Sequence, residues 1–252
     1  MRRLLALAPA VPLAAMAAVA GRVLFAAHRS DLPSFPNQDA SGTFGDRSKS
    51  KLRIVAVGDS SLTAPGVEDL DDVWIRRIAH HLTDRYWVEL ISLGVGGARA
   101  REVLNDQLPA AVELEPDIAV VAVGANDAIR ATPLAGFEAN LHHIVGRLHE
   151  ASGAIVVLGM GDLGSIPRLP RAVRPYLRWR SRRFDDAWIR TAASFPRAVK
   201  VHTRDRMTTA FYEDVELFAG DQFHASAKGH AVFAEESIPA FETALGHLNV
   251  PS

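Results

Sequence analysis

Residues Ile118-Ala119-Val120-Val121-Ala122-Val123 form an unbroken apolar run, opened by Asp117 and closed by Gly124. A strand with one wet face alternates apolar and polar residues. One that is apolar at every position must be covered on both faces. The rest of the chain supplies the covers. Further short runs at Leu52–Val57, Val88–Leu93, Ala154–Leu158 and Ala198–His202 read as strands. Between and after them lie longer amphipathic stretches with helical spacing. These are Asp72–Leu82, Arg99–Leu114 with a bend expected at Pro109, Pro133–Ala151, Arg171–Ser194 and Ala225–Leu245. Strands joined through helices of this length give a parallel sheet with helices on both faces, a three-layer α/β/α domain of the α/β class.

At 252 residues and 48% hydrophobic content, the chain can bury one sizeable core. Its 28 basic and 29 acidic residues nearly cancel, so nothing global points to nucleic acid or another strongly charged partner. The absence of cysteine excludes disulfides, thiolate metal sites and a cysteine nucleophile.

The N-terminus divides the chain. Arg2-Arg3 precedes Leu4–Gly21, an uncharged stretch dominated by Ala, Leu and Val, and Ala18-Val19-Ala20 has the small-x-small pattern of a signal-peptidase site. Residues 1–27 therefore read as a signal peptide or, with the apolar tract continued to Ala27, as an uncleaved membrane anchor. Either implies export, with the domain secreted or held on the outer face of the cytoplasmic membrane. Residues 28–50, rich in Ser, Asp, Gly and Pro, read as a polar linker, which places the folded domain at 51–249.

In parallel sheets, functional residues gather at the carboxyl ends of strands. Gly58-Asp59-Ser60 follows the first strand, Gly96-Gly97 the second, and Gly124-Ala125-Asn126-Asp127 the third; Asp221-Gln222-Phe223-His224 comes late. A serine hydroxyl is a poor nucleophile until a base removes its proton, and His224 is the candidate base for Ser60. Asp221 can hold the imidazole in one tautomer and stabilise its cation. The backbone N–H groups of Ser60 and Gly97, with the Asn126 amide, can receive the developing oxyanion, each such donor being worth about 3–4 kcal/mol.

This set of blocks resembles the SGNH (GDSL-type) hydrolase superfamily, from about Leu52 to Ala244. The resemblance implies a flavodoxin-like fold and cleavage of esters or thioesters through a serine acyl-enzyme. Carried over by position, Ser60 is the nucleophile, Asp221 and His224 complete the triad, and Gly97 and Asn126 are oxyanion donors. No metal or other cofactor is implied. Two positions depart from the pattern: Ser61 stands where leucine is usual, and Ser92 where many members have asparagine. Neither removes a reacting group, so they bear on subfamily and substrate.

Other features have plainer readings. Asp59 organises the turn, and Ser61 is a loop hydroxyl. Asp127 is either a turn residue or a brace for its loop. His80, His81, His142, His143 and His149 read as exposed helix residues without a carboxylate at ligand spacing, and His230 as a surface or supporting residue. Arg168–Arg183 holds seven arginines interleaved with Leu169, Val173, Tyr176, Leu177 and Trp179. It is either a solvated amphipathic helix or a lid or membrane-facing element beside the site.

The expectation is an exported serine esterase or lipase acting on small-molecule or lipid esters. An acyltransferase with the same acyl-enzyme is one alternative, and a non-catalytic binding module on the same fold is the other. Phosphate or nucleotide binding at the first loop is the poorer reading, because no Gly-rich fingerprint with a lysine is present.

Overall fold

The computed structural model describes residues 31–248. In chain order the elements are β1 (Gly42–Phe44), β2 (Lys51–Gly58), α1 (Ser60–Thr63), α2 (Trp74–His81) and β3 (Trp87–Ser92). They continue with α3 (Ala100–Glu102), α4 (Leu108–Glu113), β4 (Ile118–Ala122), α5 (Ala125–Ile129), α6 (Leu134–Ala151) and β5 (Ala154–Val157). The last are α7 (Arg174–Ala193), β6 (Ala198–Lys200), α8 (Arg206–Glu213) and α9 (Ala227–Leu248).

The sheet has six strands in the order β1-β3-β2-β4-β5-β6, all parallel except the antiparallel edge pair β1–β3. The five parallel strands thus follow the flavodoxin order, with the switch point between β2 and β4. Ile54, Ala56, Val120 and Val156 pack on one side against α2 and α9, while Val55, Val57, Val121 and Val157 face α4, α6 and α7 on the other. Neighbouring residues of one strand thus feed two cores, which is why these strands show no polar alternation.

The segment expected as a polar linker belongs partly to the domain. Gly42↔Leu90 and Phe44↔Val88 pair in the sheet, Ala40 and Phe44 are buried, and Gln38 N–H donates to the Thr63 carbonyl. A three-residue edge strand is too short to leave a period-two pattern, so composition hid it. The proposed signal peptide or anchor, residues 1–27, lies outside the described residues.

The helix expected at Arg99–Leu114 does not simply bend at Pro109. It passes from α3 through a π-helical turn at Val103–Gln107 into α4. Pro109 cannot donate the N–H that an α-helix needs there, and a π turn accommodates the loss. α1, α5 and α8 leave no sign in the sequence: the first two, at four and five residues, are too short for a hydrophobic period to register, and α8 buries only Met207.

Candidate active site

β2 ends at Gly58, where a side chain could not fit: a Cβ there would lie 2.1 Å from the Ala122 carbonyl oxygen of β4. The chain turns at once into α1. Asp59 caps that helix, accepting the Ser61 N–H at 3.0 Å, and its own N–H donates to the Ala122 carbonyl at 3.0 Å. Ser60, the first residue of α1, therefore stands at the switch point. Burial pushes the Asp59 carboxyl up to about 6 against the opposing Ser61 hydrogen bonds. Ser61, expected as a loop hydroxyl, is the second residue of α1: its hydroxyl donates to the Ala122 carbonyl at 3.4 Å and its own carbonyl accepts the Trp74 indole N–H at 2.9 Å.

Gln107 supports the turn from behind and was not anticipated. Its Oε1 accepts the Gly58 N–H at 2.7 Å and its Nε2 donates to the Gly58 carbonyl at 2.9 Å. Following Asn105 and Asp106 in a polar turn, Gln107 gave no signal of this in the sequence.

The late block forms a tight loop with Gln222 at φ +59°, closed by the Ala219 N–H to the His224 carbonyl at 2.8 Å. Asp221 is buried. Its Oδ2 lies 2.6 Å from His224 Nδ1, and its Oδ1 accepts the backbone N–H groups of Phe223 and His224 at 2.9 and 3.0 Å. Burial alone would raise this carboxyl, but the His224 ring and the two backbone donors outweigh it and hold Asp221 below its ordinary value.

Ser60 and His224 line one cavity of about 170 Å³. Its remaining walls are largely apolar: Leu158, Met160 and Leu163 after β5, Met207 and Phe211 on α8, Phe218 and Phe223 beside the late block, and Phe233 on α9. Phe211 stacks on Phe233 at 5.3 Å and meets Phe218 edge-on at 5.1 Å. Met160 is fixed by Asp185, which accepts its N–H at 3.1 Å while pairing with Lys200 and Arg204 at 2.8 and 2.5 Å.

Gly97 and Asn126 are outside that lining, and their two loops are linked one residue beyond Gly97. Asn126 Nδ2 donates to the carbonyl of Ala98, the residue after Gly97, at 3.2 Å. Gly97 has φ +80°, a backbone state that a side chain would strain. Asp127 proves to be a brace: buried, it accepts the Ala100 N–H at 2.8 Å and so ties the loops after β3 and β4 together. Burial raises its carboxyl, opposed by the Ala100 and Thr132 donors.

Residues 56–232 match the GDSL-like Lipase/Acylhydrolase family. The chain belongs to that family. The likeness to SGNH hydrolases read from the blocks is thus one of descent. The GDSL-like esterase Rv1075c of Mycobacterium tuberculosis is 30% identical over 207 residues, covering 79% of this chain and 65% of that protein. The match therefore spans just under two thirds of the relative's length. Among solved structures, LAE5, an alpha/beta hydrolase enzyme from the metagenome of Lake Arreo, Spain, superposes with a TM-score of 0.61 at 20% identity, over 80% of this chain and 98% of that one. Axe2, an acetylxylan esterase from Geobacillus stearothermophilus, gives 0.57 at 16% identity, over 81% and 96%. At these identities the structures show a shared fold.

Within the family frame, the open readings of His230 and of the basic segment are narrowed. His230 is not a surface residue: it is buried against the cavity, its Nδ1 accepts the Trp74 N–H at 3.3 Å, and burial pushes its ring down to about 3. The basic segment is not uniformly solvated either. Arg180 is buried, donating to the carbonyls of Ala128, Asp127 and Thr132 at 2.8, 3.3 and 2.7 Å, and Arg174 holds those of Leu169 and Pro167. Of the remaining histidines, His80 and His81 lie beside Asp71 and Glu242 at the surface, and His149 is half-buried against Phe195.

Proposed function

We propose that this protein is a serine carboxylic ester hydrolase whose triad is Ser60, His224 and Asp221. The reading rests on the 2.6 Å Asp221–His224 bond at a cavity that Ser60 also lines. With Asp221 accepting from Nδ1, Nε2 of the neutral ring is the free base. It takes the Ser60 proton as Oγ attacks the ester carbonyl, then returns that proton to the departing alcohol. Water attacks the acyl-enzyme in the same way, its proton passing to His224 and on to Ser60 as the acid leaves. The N–H groups of Ser60 and Gly97 and the Asn126 amide receive the oxyanion in both steps. Asn126 Nδ2 has two hydrogens, and its bond to Ala98 engages one.

The phenylalanine- and methionine-rich walls favour an apolar acyl group in the cavity, as in a lipid or acylated envelope ester. Purified protein and Ser60→Ala, treated with a fluorophosphonate probe and a chain-length series of p-nitrophenyl esters, test the reading. Labelling and turnover confined to the unmutated chain are expected; labelling and turnover equal to the variant's would sink it in favour of a binding module. Alcohol acceptors added to the same assay measure transfer. The N-terminal pattern of Arg2-Arg3 and Leu4–Gly21 supports export, secreted or tethered at the outer face of the cytoplasmic membrane. Fractionation of producing cells checks it, with recovery in the cytosol as the contrary result.

A further inference from the structure

Residues 163–184 contain seven arginines and no aspartate or glutamate. The structure divides those arginines by task. Arg174 and Arg180 turn inward to backbone carbonyls, and Arg178 pairs with Asp162 at 3.0 Å. Arg171, Arg182 and Arg183 are left exposed on the outer face. On that same face Tyr176 and Trp179 stand one turn apart, 48% and 52% exposed, with ring centroids 5.9 Å from each other and the Arg183 guanidinium 5.4 Å from the Trp179 ring. The same helix buries Leu177, Phe184 and Trp188 on its inner side, whereas these two rings stay half-exposed, with the Arg180 guanidinium 5.8 Å from the Tyr176 ring. Tyrosine, tryptophan and arginine together suit the boundary between lipid headgroups and acyl chains.

The position of this face argues for the same partner. The Arg178–Asp162 pair sits at the cavity rim, since Asp162 is one of its lining residues. The arginine segment joins the His224 loop directly, the Arg168 N–H donating to the Gln222 carbonyl at 3.0 Å. The first described residues meet that loop as well. Pro33 and Phe35 lie against Gly220, so near that a Cβ on the glycine would be 3.3 Å from Pro33. The described chain therefore begins beside Asp221, at the edge from which the basic aromatic face extends.

We infer that Arg171, Tyr176, Trp179, Arg182 and Arg183 form a docking surface for a bilayer rich in anionic phospholipid, setting the cavity mouth against the lipid. Each arginine near such a surface strengthens binding roughly fivefold, and three together on the order of a hundredfold.

The full chain, with its native N-terminus throughout, is tested on vesicles of phosphatidylcholine alone and of phosphatidylcholine with phosphatidylglycerol in equal parts. The measured quantity is the gain in partition that phosphatidylglycerol brings. Most of that gain is expected to vanish in Arg171→Glu/Arg182→Glu/Arg183→Glu and in the unmutated chain at high salt. Brominated lipid should quench tryptophan fluorescence in the unmutated chain and much less in Trp179→Phe. Equal partition to both vesicles, or a gain that the triple variant and high salt leave intact, overturns the inference. Turnover of a soluble short-chain ester, expected unchanged in these variants, reports separately on the hydrolase reading. If that turnover is absent from the unmutated chain too, the esterase reading fails while the docking result stands by itself.

Discussion

Gln107 and Gly58 exchange two hydrogen bonds across 49 residues of sequence, side-chain amide to backbone amide, at 2.7 and 2.9 Å. Gly58 precedes the Asp59-Ser60 turn, so the π turn that carries Gln107 and the strand that leads into Ser60 are locked together. One extra residue in a helical turn rotates the next stretch of helix by about 100°, and this insertion lies where Gln107 meets the sheet.

Gln107→Leu removes both bonds and leaves the buried Gly58 N–H and carbonyl unpaired, at a cost of about 2–4 kcal/mol. Gln107→Glu keeps the acceptor, but its ionised carboxylate opposes the Gly58 carbonyl. Its loss of stability should be largest at neutral pH and shrink once the glutamate is protonated. Urea unfolding of the three proteins at two pH values measures both effects.

Asp221→Asn retains the shape of the loop but lets an amide face His224 Nδ1, so kcat should fall by about 10³–10⁴. Asn126→Ala should lower kcat by roughly 10²–10³ with KM little changed, as expected for a donor that acts on the transition state. Steady-state kinetics on one p-nitrophenyl ester compare them; an unchanged kcat removes the residue concerned from its proposed role.

Asp59 weakens the fold at neutral pH. Its carboxyl moves from 3.8 to about 6 on folding. Below about pH 4 both folded and unfolded chains hold the proton, and burial is nearly free. Between the two values the unfolded chain loses its proton first, so stability falls with rising pH, by a total of about 3 kcal/mol above pH 6. Asp59→Asn can still accept from Ser61 N–H. It should therefore be more stable than the unmutated protein at pH 7.5 and equal to it near pH 3.5, as read from Tm.

Asp221 carries the opposite sign. Its folded value lies below the ordinary 3.8, so its contribution is complete above about pH 4 and is lost as pH falls through the folded value. Asp221→Ala should accordingly flatten the acid limb of the stability profile.

Arg180→Met strands the carbonyls of Ala128 and Thr132, that of Asp127 still accepting the Thr132 N–H, and should destabilise the protein by about 2–4 kcal/mol. Arg182→Ala, two residues along on the outer face, should change stability by no more than about 0.5 kcal/mol. Chemical denaturation distinguishes a structural arginine from a surface one.

Met207→Trp fills the cavity that Ser60 and His224 share with Phe211 and Phe233. Among p-nitrophenyl esters, kcat/KM for long acyl chains should fall relative to acetate, by tenfold or more. A constant ratio would place the acyl group elsewhere.

The layers of the domain, the order of its elements and the four blocks were legible because each is written locally. Ile118–Val123 is apolar at every position because both faces of β4 are covered, and Gly58 precedes Asp59-Ser60 because the turn admits no side chain. Asp221 and His224 could be paired on paper for the same reason, being three residues apart on one loop. What the chain could not disclose depends on residues far apart in sequence. Gln107 meets Gly58, Arg180 reaches the block that holds Asn126, Trp74 links His230 to Ser61, and Phe44 closes an edge that composition assigned to a tether. The cavity belongs to this group as well, because its walls come from the ends of three strands and from α8 and α9, and only their packing brings them together. Local sequence therefore determined the turn that ends at Ser60 and the loop that pairs Asp221 with His224; tertiary packing decided what holds that turn and which apolar side chains wall the cavity beside it.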